Sequence, residues 1–221
     1  MAFQLIRSIE SSTEIAECYR VIHQAIGGQI HSENDSLWLV KLENWTAAIA
    51  YQGYFYEDED QARLVQTLLS FGYLSFNAVS WSKADLSPPV LVVPTCIDGV
   101  EEFRLNIMSW YVLFAGKPDW FILLADSLDF MIVAGQSEFV CQLLGDIPER
   151  AEACLAFRSM AENYVYRDVR RYYRHLLTEV QVTYLKAAPG DVINLGLLNW
   201  GDEQPGCHPQ VPQQSAECDG E

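Results

Sequence analysis

Two segments of this chain, residues 38–53 and 120–135, each carry two apolar runs joined by a short polar turn. Within the first segment, Trp45, Ala47 and Ile49 fall on one side of an extended chain, which is the pattern of a strand with a buried face. Antiparallel strands joined by a short turn form a hairpin. We therefore predict two β-hairpins. Their strands are residues 37–42, 45–51, 120–125 and 130–134.

Helical patterns accompany both hairpins. A capping-box pattern at residues 11–14 precedes an apolar-periodic helix, and Asp98 begins a second predicted helix that extends to about Ala115. The helices that follow the hairpins are similar in sequence, LVQTLL in one and FVCQLL in the other. We predict helix–hairpin–helix pseudo-repeats at 11–72 and 98–145. The alternative is that any two amphipathic hairpins share such a pattern.

These patterns predict the α+β class: an antiparallel sheet built from the two hairpins plus additional strands, with helices packed on one face. We expect a single domain over residues 1–198. Residues 178–186 fit either a strand, which would turn into another strand at 192–198, or an extension of the preceding helix. Residues 199–221 contain five acidic residues and no lysine or arginine, among several prolines and glycines, which predicts a flexible acidic tail.

The charge of the chain restricts its partners. There are 30 acidic and 14 basic residues, so the net charge is −16. A phosphate backbone is attracted by clustered cations, and we therefore expect no non-specific binding of nucleic acid. The same charge suits solubility or a basic protein partner.

The sequence also predicts a compartment. Charged turns interrupt the apolar stretch at 107–134, so neither piece could cross a bilayer. The first residues contain no apolar signal-peptide core. The six cysteines show no spacing pattern, which favours reduced thiols. We expect a cytoplasmic protein that does not associate with membranes.

Four of the fourteen basic residues lie within one eight-residue window, as Arg167, Arg170, Arg171 and Arg174. We call them the arginine face, because this spacing places all four on one side of a helix, which we predict from residue 166 to about 177. Guanidinium groups so close together repel each other unless negative charge lies among them, and their planar forks suit carboxylate or phosphate.

Two interpretations of the arginine face follow. In the first, it docks on the protein's own carboxylates, and Asp168 can pair with Arg171 along the helix. In the second, the face and the neighbouring Tyr173 and His175 bind a phosphorylated or carboxylated ligand, or an acidic segment of a partner. His175 and Glu179 could share a metal ion, but two ligands do not make a site, and an ion pair is the simpler interpretation.

A second candidate surface combines tyrosines with acidic residues. Its members are Tyr54, Tyr56, Glu57, Asp58, Glu59 and Asp60. Acidic residues at this place favour the first turn of a helix, because they complement its exposed N–H groups and its dipole. The same residues could bind a basic protein, with the tyrosines as anchors and the carboxylates guiding the encounter.

No recognised chemical motif occurs in the sequence. A glycine-rich phosphate loop, the G-x-S-x-G pattern and the H-E-x-x-H pattern are all missing. Cys207, His208 and Cys218 offer metal-binding atoms without a zinc spacing. We therefore assign no catalytic residue, no metal ligand and no cofactor, although sites assembled from distant residues leave an enzyme open.

The leading hypothesis from sequence is a non-catalytic, cytoplasmic regulatory or adaptor protein that binds another protein through the acidic, aromatic surface. A specific form of it is an inhibitor of a basic partner. The alternative hypothesis is a sensor or enzyme that binds a phosphorylated or carboxylated small ligand on the arginine face. A third hypothesis is a homo-oligomer that uses a hairpin edge as its contact.

Overall fold

The computed structural model describes residues 3–29, 36–51, 58–81, 89–106, 110–124, 130–145, 147–165 and 167–195. The strands, in chain order, are β1 (Arg7–Ser8), β2 (Ile26–Gln29), β3 (Ser36–Val40), β4 (Trp45–Tyr51), β5 (Ser75–Ser80), β6 (Val90–Pro94), β7 (Tyr111–Phe114), β8 (Trp120–Leu124), β9 (Phe130–Gln136) and β10 (Val192–Asn194). The helices are α1 (Ser12–Ile22), α2 (Asp58–Ser70), α3 (Ile97–Leu105), α4 (Ser137–Leu144), α5 (Ile147–Asn163), α6 (Arg167–Leu176) and the short α7 (Tyr184–Lys186). A π-helix, Leu177–Thr183, joins α6 to α7.

Two antiparallel sheets organise the fold. Seven strands form the larger sheet in the order β1-β6-β5-β7-β8-β9-β4, and β10-β3-β2 form a smaller one. The α+β class with an antiparallel sheet is confirmed. Strand β4 lies at an edge of the larger sheet, where α5 and the π-helix pack against it.

The larger sheet is covered on both faces. On one face, Ile49 and Phe121 belong to a core cluster with α1, α5 and α6. On the other, Ala48 and Ile122 belong to a cluster with α2, α3 and α4. The prediction of helices on one face was therefore wrong. The physical reason is that consecutive residues of a central strand such as β8 are all apolar and all buried, so that both faces need a cover.

Only the second predicted hairpin forms. Strands β8 and β9 pair with each other, but β4 pairs with β9, and β3 pairs with β2 and β10 in the smaller sheet. The turn between β3 and β4 explains the correction. A two-residue hairpin turn needs a positive φ at its first central residue, whereas among the described non-glycine residues only Asn44, the second residue of this turn, has one (62°). Strand β3 therefore pairs in the smaller sheet, whereas β4 pairs in the larger one.

The helices follow their sequence signals, although two of them end earlier than predicted. Apolar spacing predicts that the first helix extends to Ile26, but α1 ends at Ile22 and Ile26 begins β2. Ser11 caps α1, because its hydroxyl accepts a hydrogen bond from the Glu14 amide at 3.4 Å. The helix predicted from Asp98 to about Ala115 ends instead at Leu105, and β7 occupies the interior of the sheet after it. The apolar run of β7 fits a buried strand as well as a helix, and periodicity alone does not separate the two.

The last described segment settles an open alternative. Residues 178–186 are helical and belong to the π-helix and α7. Val180 and Tyr184 are both buried because residues four positions apart lie on the same side of a helix. Strand β10 forms within the predicted 192–198 range. The pseudo-repeats at 11–72 and 98–145 stay a prediction, since both contain a helix, three strands and a helix but pair their strands differently. The tail at 199–221 lies outside the described residues.

Candidate anion-binding site

Helix α6 carries the arginine face as the spacing predicted. Arg167, Arg171 and Arg174 are exposed and Arg170 is half-buried. Tyr173 and Leu176 point the other way and are 2% and 0% exposed, respectively. The helix therefore separates an apolar face that serves the core from a cationic face that meets solvent.

Aromatic packing holds α6 in place. The ring centroid of Tyr173 lies 5.5 Å from that of Phe157, 5.5 Å from that of Tyr164 and 6.1 Å from that of Phe130. Burial also raises the pKa of the neighbouring Tyr172. Tyr173 was predicted to line a ligand site together with the arginines, but its ring belongs to the core and lies on the opposite side of the helix. The anchoring of α6 needs no contribution from the guanidinium groups.

The arginine face makes no ion pair within the part of the chain that the structure describes. Ion pairs there join an arginine to a glutamate three or four residues away. They are Arg20–Glu17, Arg104–Glu101 and Arg158–Glu162. The pairing of Arg171 with Asp168 falls on a side chain outside the described set. The described carboxylates therefore leave the positive charge of α6 uncompensated.

A groove of about 570 Å³ lies beside the arginine face, between α5 and the end of α6. It is lined by Cys154, Arg158, Ala161, Glu162, Arg174, Leu177 and Thr178. Arg174 is therefore shared between the arginine face and the groove. The first turn of the π-helix supplies Thr178, whose hydroxyl donates to the Arg174 carbonyl at 3.1 Å.

The groove combines charge with an apolar lining. The groove contains two guanidinium groups. That of Arg158 is already paired, because its Nε donates to Glu162 Oε1 at 3.0 Å, whereas that of Arg174 forms no ion pair with a described residue. Cys154 and Leu177, which are both half-buried, supply the apolar surface of the groove. A volume of this size accommodates a small organic molecule. The arrangement suits a ligand with an anionic group for Arg174 and a compact apolar part.

His175 does not face the groove. Its Nε2 lies 3.4 Å from the Asn194 carbonyl oxygen, which links α6 to β10. No group of three or more histidine, cysteine, aspartate or glutamate side chains in the described ranges could hold a metal ion. Cys18, Cys96, Cys141 and Cys154 form no disulfide.

The acidic surface is described only in part. Tyr54, Tyr56 and Glu57 lie outside the described residues. Asp58 and Glu59 are exposed in the first turn of α2 and Asp60 is half-buried there, where negative charge complements the helix dipole. The helix start at these residues is confirmed, and their role as a partner surface stays a prediction.

Sequence reasoning missed the second wall of the groove. Arg158 and Glu162 stand four residues apart in α5, and this spacing signals only a surface ion pair. Their position opposite Arg174 depends on the packing of α5 against α6, which no local pattern reveals. No helix in the described part of the chain combines the length and apolarity needed to cross a bilayer.

Comparison with known proteins adds no relative. Neither a protein-family model nor a curated protein nor a solved structure matches the chain.

Proposed function

We propose that the protein binds a small ligand with several phosphate or carboxylate groups on the arginine face, and that it acts as a binding or sensor protein. The observation that carries this proposal is the group of four arginines on α6 that forms no ion pair with any described residue. This observation favours the ligand hypothesis over docking of the arginine face on the protein's own carboxylates. Protein binding through the acidic surface becomes the second candidate function.

Electrostatics supports an external anion. Like charges three and four residues apart on a helix destabilise it. Arg167 and Arg174 are seven residues apart, so the face extends about 10 Å along the helix axis. Arginine side chains are long enough to converge on one polyphosphate or tricarboxylate, and each guanidinium can donate two parallel hydrogen bonds to one oxyanion group.

The groove supplies selectivity in this proposal. Arg174 belongs to both surfaces, so a ligand bound along the arginine face can place a further part in the groove against Leu177. Because Glu162 already neutralises Arg158, Arg174 is the groove residue that offers a full positive charge. We expect a ligand whose charge lies at one end and whose apolar part enters the groove.

Calorimetric titration with inorganic tripolyphosphate and with citrate at low salt tests the proposal. The double variant R171Q/R174Q removes two charge-assisted contacts and should bind about a hundredfold more weakly. The matched control is R7Q/R20Q, which removes the same charge from exposed arginines on β1 and α1. Equal weakening in the two variants, or no binding of either anion by the wild type, would sink the proposal.

The second candidate is a protein interface at the start of α2. Asp58 and Glu59 are exposed there and form no ion pair with a described residue. A basic partner would bind with a steep dependence on salt, because screening weakens exposed charges. Binding of an oligolysine peptide should fall in the variant D58N/E59Q and stay unchanged in E10Q/E14Q, which alters two exposed glutamates near α1.

Location and assembly stay predictions as well. A cytoplasmic protein with reduced cysteines is expected to label fully with a thiol reagent when it is unfolded without prior reduction, since Cys18 is buried in the folded protein. Light scattering after size-exclusion chromatography distinguishes a monomer from a homo-oligomer.

A further inference from the structure

A second cavity, of about 560 Å³, lies at the end of the larger sheet, where β4 begins and β9 passes into α4. It is separate from the groove beside α6, since the two share no lining residue. Its wall includes Lys41, Trp45, Thr46, Ser137, Glu138 and Leu185. Hydroxyl, amide and ammonium donors thus meet apolar side chains at one place.

Thr46 has a polar group without a partner in this cavity. The residue is only 7% exposed, and its hydroxyl makes no hydrogen bond to any residue that the structure describes. Its backbone pairs with Gly135 between β4 and β9, so only its side-chain hydroxyl lacks a hydrogen-bond partner among the described residues. The hydroxyl is not sealed inside the protein, so it is open to the cavity and a ligand there can hydrogen-bond with it.

Helix α4 begins at the same wall. Gln136, at the N-cap, makes no side-chain hydrogen bond to the first turn. The N–H groups of the first turn therefore lack a cap and carry the positive end of the helix dipole. Ser137, the first helical residue, is exposed and adds a hydroxyl.

Lys41 adds a positive charge to the wall of the cavity. Its ammonium donates to the Ala187 carbonyl and lies 5.8 Å from the centroid of the Tyr184 ring. No described carboxylate forms an ion pair with it. An ammonium has three donors, so this contact leaves two for a ligand.

We propose that this cavity binds a small organic carboxylate. Its oxygens would accept hydrogen bonds from Thr46, Ser137 and the first turn of α4, with the Lys41 ammonium near the charge. Trp45 and Leu185 provide apolar walls for the carbon skeleton. Glu138 is exposed in the first turn of α4 and disfavours a phosphate dianion, which would bring two negative charges beside it.

Titration of the whole protein with benzoate, followed by saturation-transfer difference NMR, tests this proposal. Thr46→Val keeps the shape of the side chain and removes its hydroxyl, and it should weaken benzoate binding about tenfold. Ser137→Ala should also weaken it, whereas Glu138→Gln should strengthen it about threefold because a repulsive charge is removed. Arg7→Gln is the control, because it removes an exposed positive charge that lines neither cavity, and it should leave benzoate binding unchanged.

The outcomes separate this proposal from the function of the arginine face. If Thr46→Val does not melt cooperatively, Ser137→Ala decides, because its side chain is exposed and outside the core. The proposal is overturned if the wild type binds no benzoate, if both variants bind it as the wild type does, or if inorganic phosphate displaces benzoate at lower concentration. None of these results bears on tripolyphosphate binding at α6.

Discussion

The arginine face of α6 and Glu102 of α3 are charged groups that differ in whether the protein itself supplies their partners. Glu102 accepts hydrogen bonds from three backbone amides, those of Gln4 (2.6 Å), Leu5 (2.9 Å) and Ile6 (3.1 Å). These bonds hold the pKa of the carboxyl below its usual range. The arginines of α6 have no comparable partner among the described residues.

This difference distinguishes charge that serves the structure from charge that is left for another molecule. Glu102 fixes the first described residues of the chain against α3, so its negative charge is used inside the protein. Helix α6 is held by Tyr173 and Leu176 on its other side, so its guanidinium groups are not needed for anchoring. Substitutions in either region test this difference.

The largest effect is expected where α6 is anchored. Tyr173→Ala removes a ring that is 2% exposed and packs against Phe130 and Phe157, and should lower the free energy of unfolding by about 3–5 kcal/mol. Val165→Ala, at a side chain that is 85% exposed, is the control and should change it by less than about 0.5 kcal/mol. Urea unfolding measures both. A small loss for Tyr173→Ala would mean that α6 is held by its arginines.

The next effect is expected at Glu102. Glu102→Gln removes the charge that three amides address, and should lower the melting temperature by several degrees at pH 7. Glu101→Gln changes the adjacent exposed residue, whose only described ion pair is the 3.8 Å contact with Arg104, and should have almost no effect. Equal losses in the two variants would show that the amide contacts contribute nothing.

The pH dependence of this effect has a defined sign. Because the pKa of Glu102 is lower in the folded protein than in the unfolded chain, its contribution is complete above the unfolded pKa and is lost as the pH falls through the folded pKa. The difference in melting temperature between the wild type and Glu102→Gln should therefore shrink as the pH is lowered from neutrality to about 3. A difference that is independent of pH would contradict the assignment.

A smaller effect is expected for the ion pair at the groove. Arg158 and Glu162 are 61% and 45% exposed, so a double-mutant cycle with Arg158→Gln and Glu162→Gln should give a coupling of about 0.4 kcal/mol at low salt. The coupling should decrease when salt is added, because exposed pairs are screened. A coupling above about 2 kcal/mol would mean that the pair is essential to the packing of α5 on α6.

Local patterns in the sequence predicted the elements better than their arrangement. The capping signal at Ser11, the acidic start of α2 and the periodicity of α6 depend on neighbouring residues, and the structure contains all three. The pairing of β4 with β9 depends on residues about 80 to 90 positions apart, from Tyr51 with Phe130 to Trp45 with Gln136. Sequence periodicity indicates that a strand is buried, but not which strand lies beside it.

The candidate site shows the same division. The arginine face follows from helical spacing alone. The same spacing indicates that Tyr173 does not belong to that face, because it is adjacent to Arg174 in sequence and therefore points about 100° away from it around the helix. The groove walls Arg158 and Glu162 could not be predicted, since they meet Arg174 only through the packing of two helices.

Thermal melting with and without tripolyphosphate at low salt shows whether the arginines of α6 serve an external anion. We expect the wild type and R171Q/R174Q to melt at nearly the same temperature without the anion, and the anion to raise the melting temperature of the wild type only. A variant that melts well below the wild type without the anion would show that the arginines have partners inside the protein. An equal rise in both proteins would show that the anion binds elsewhere.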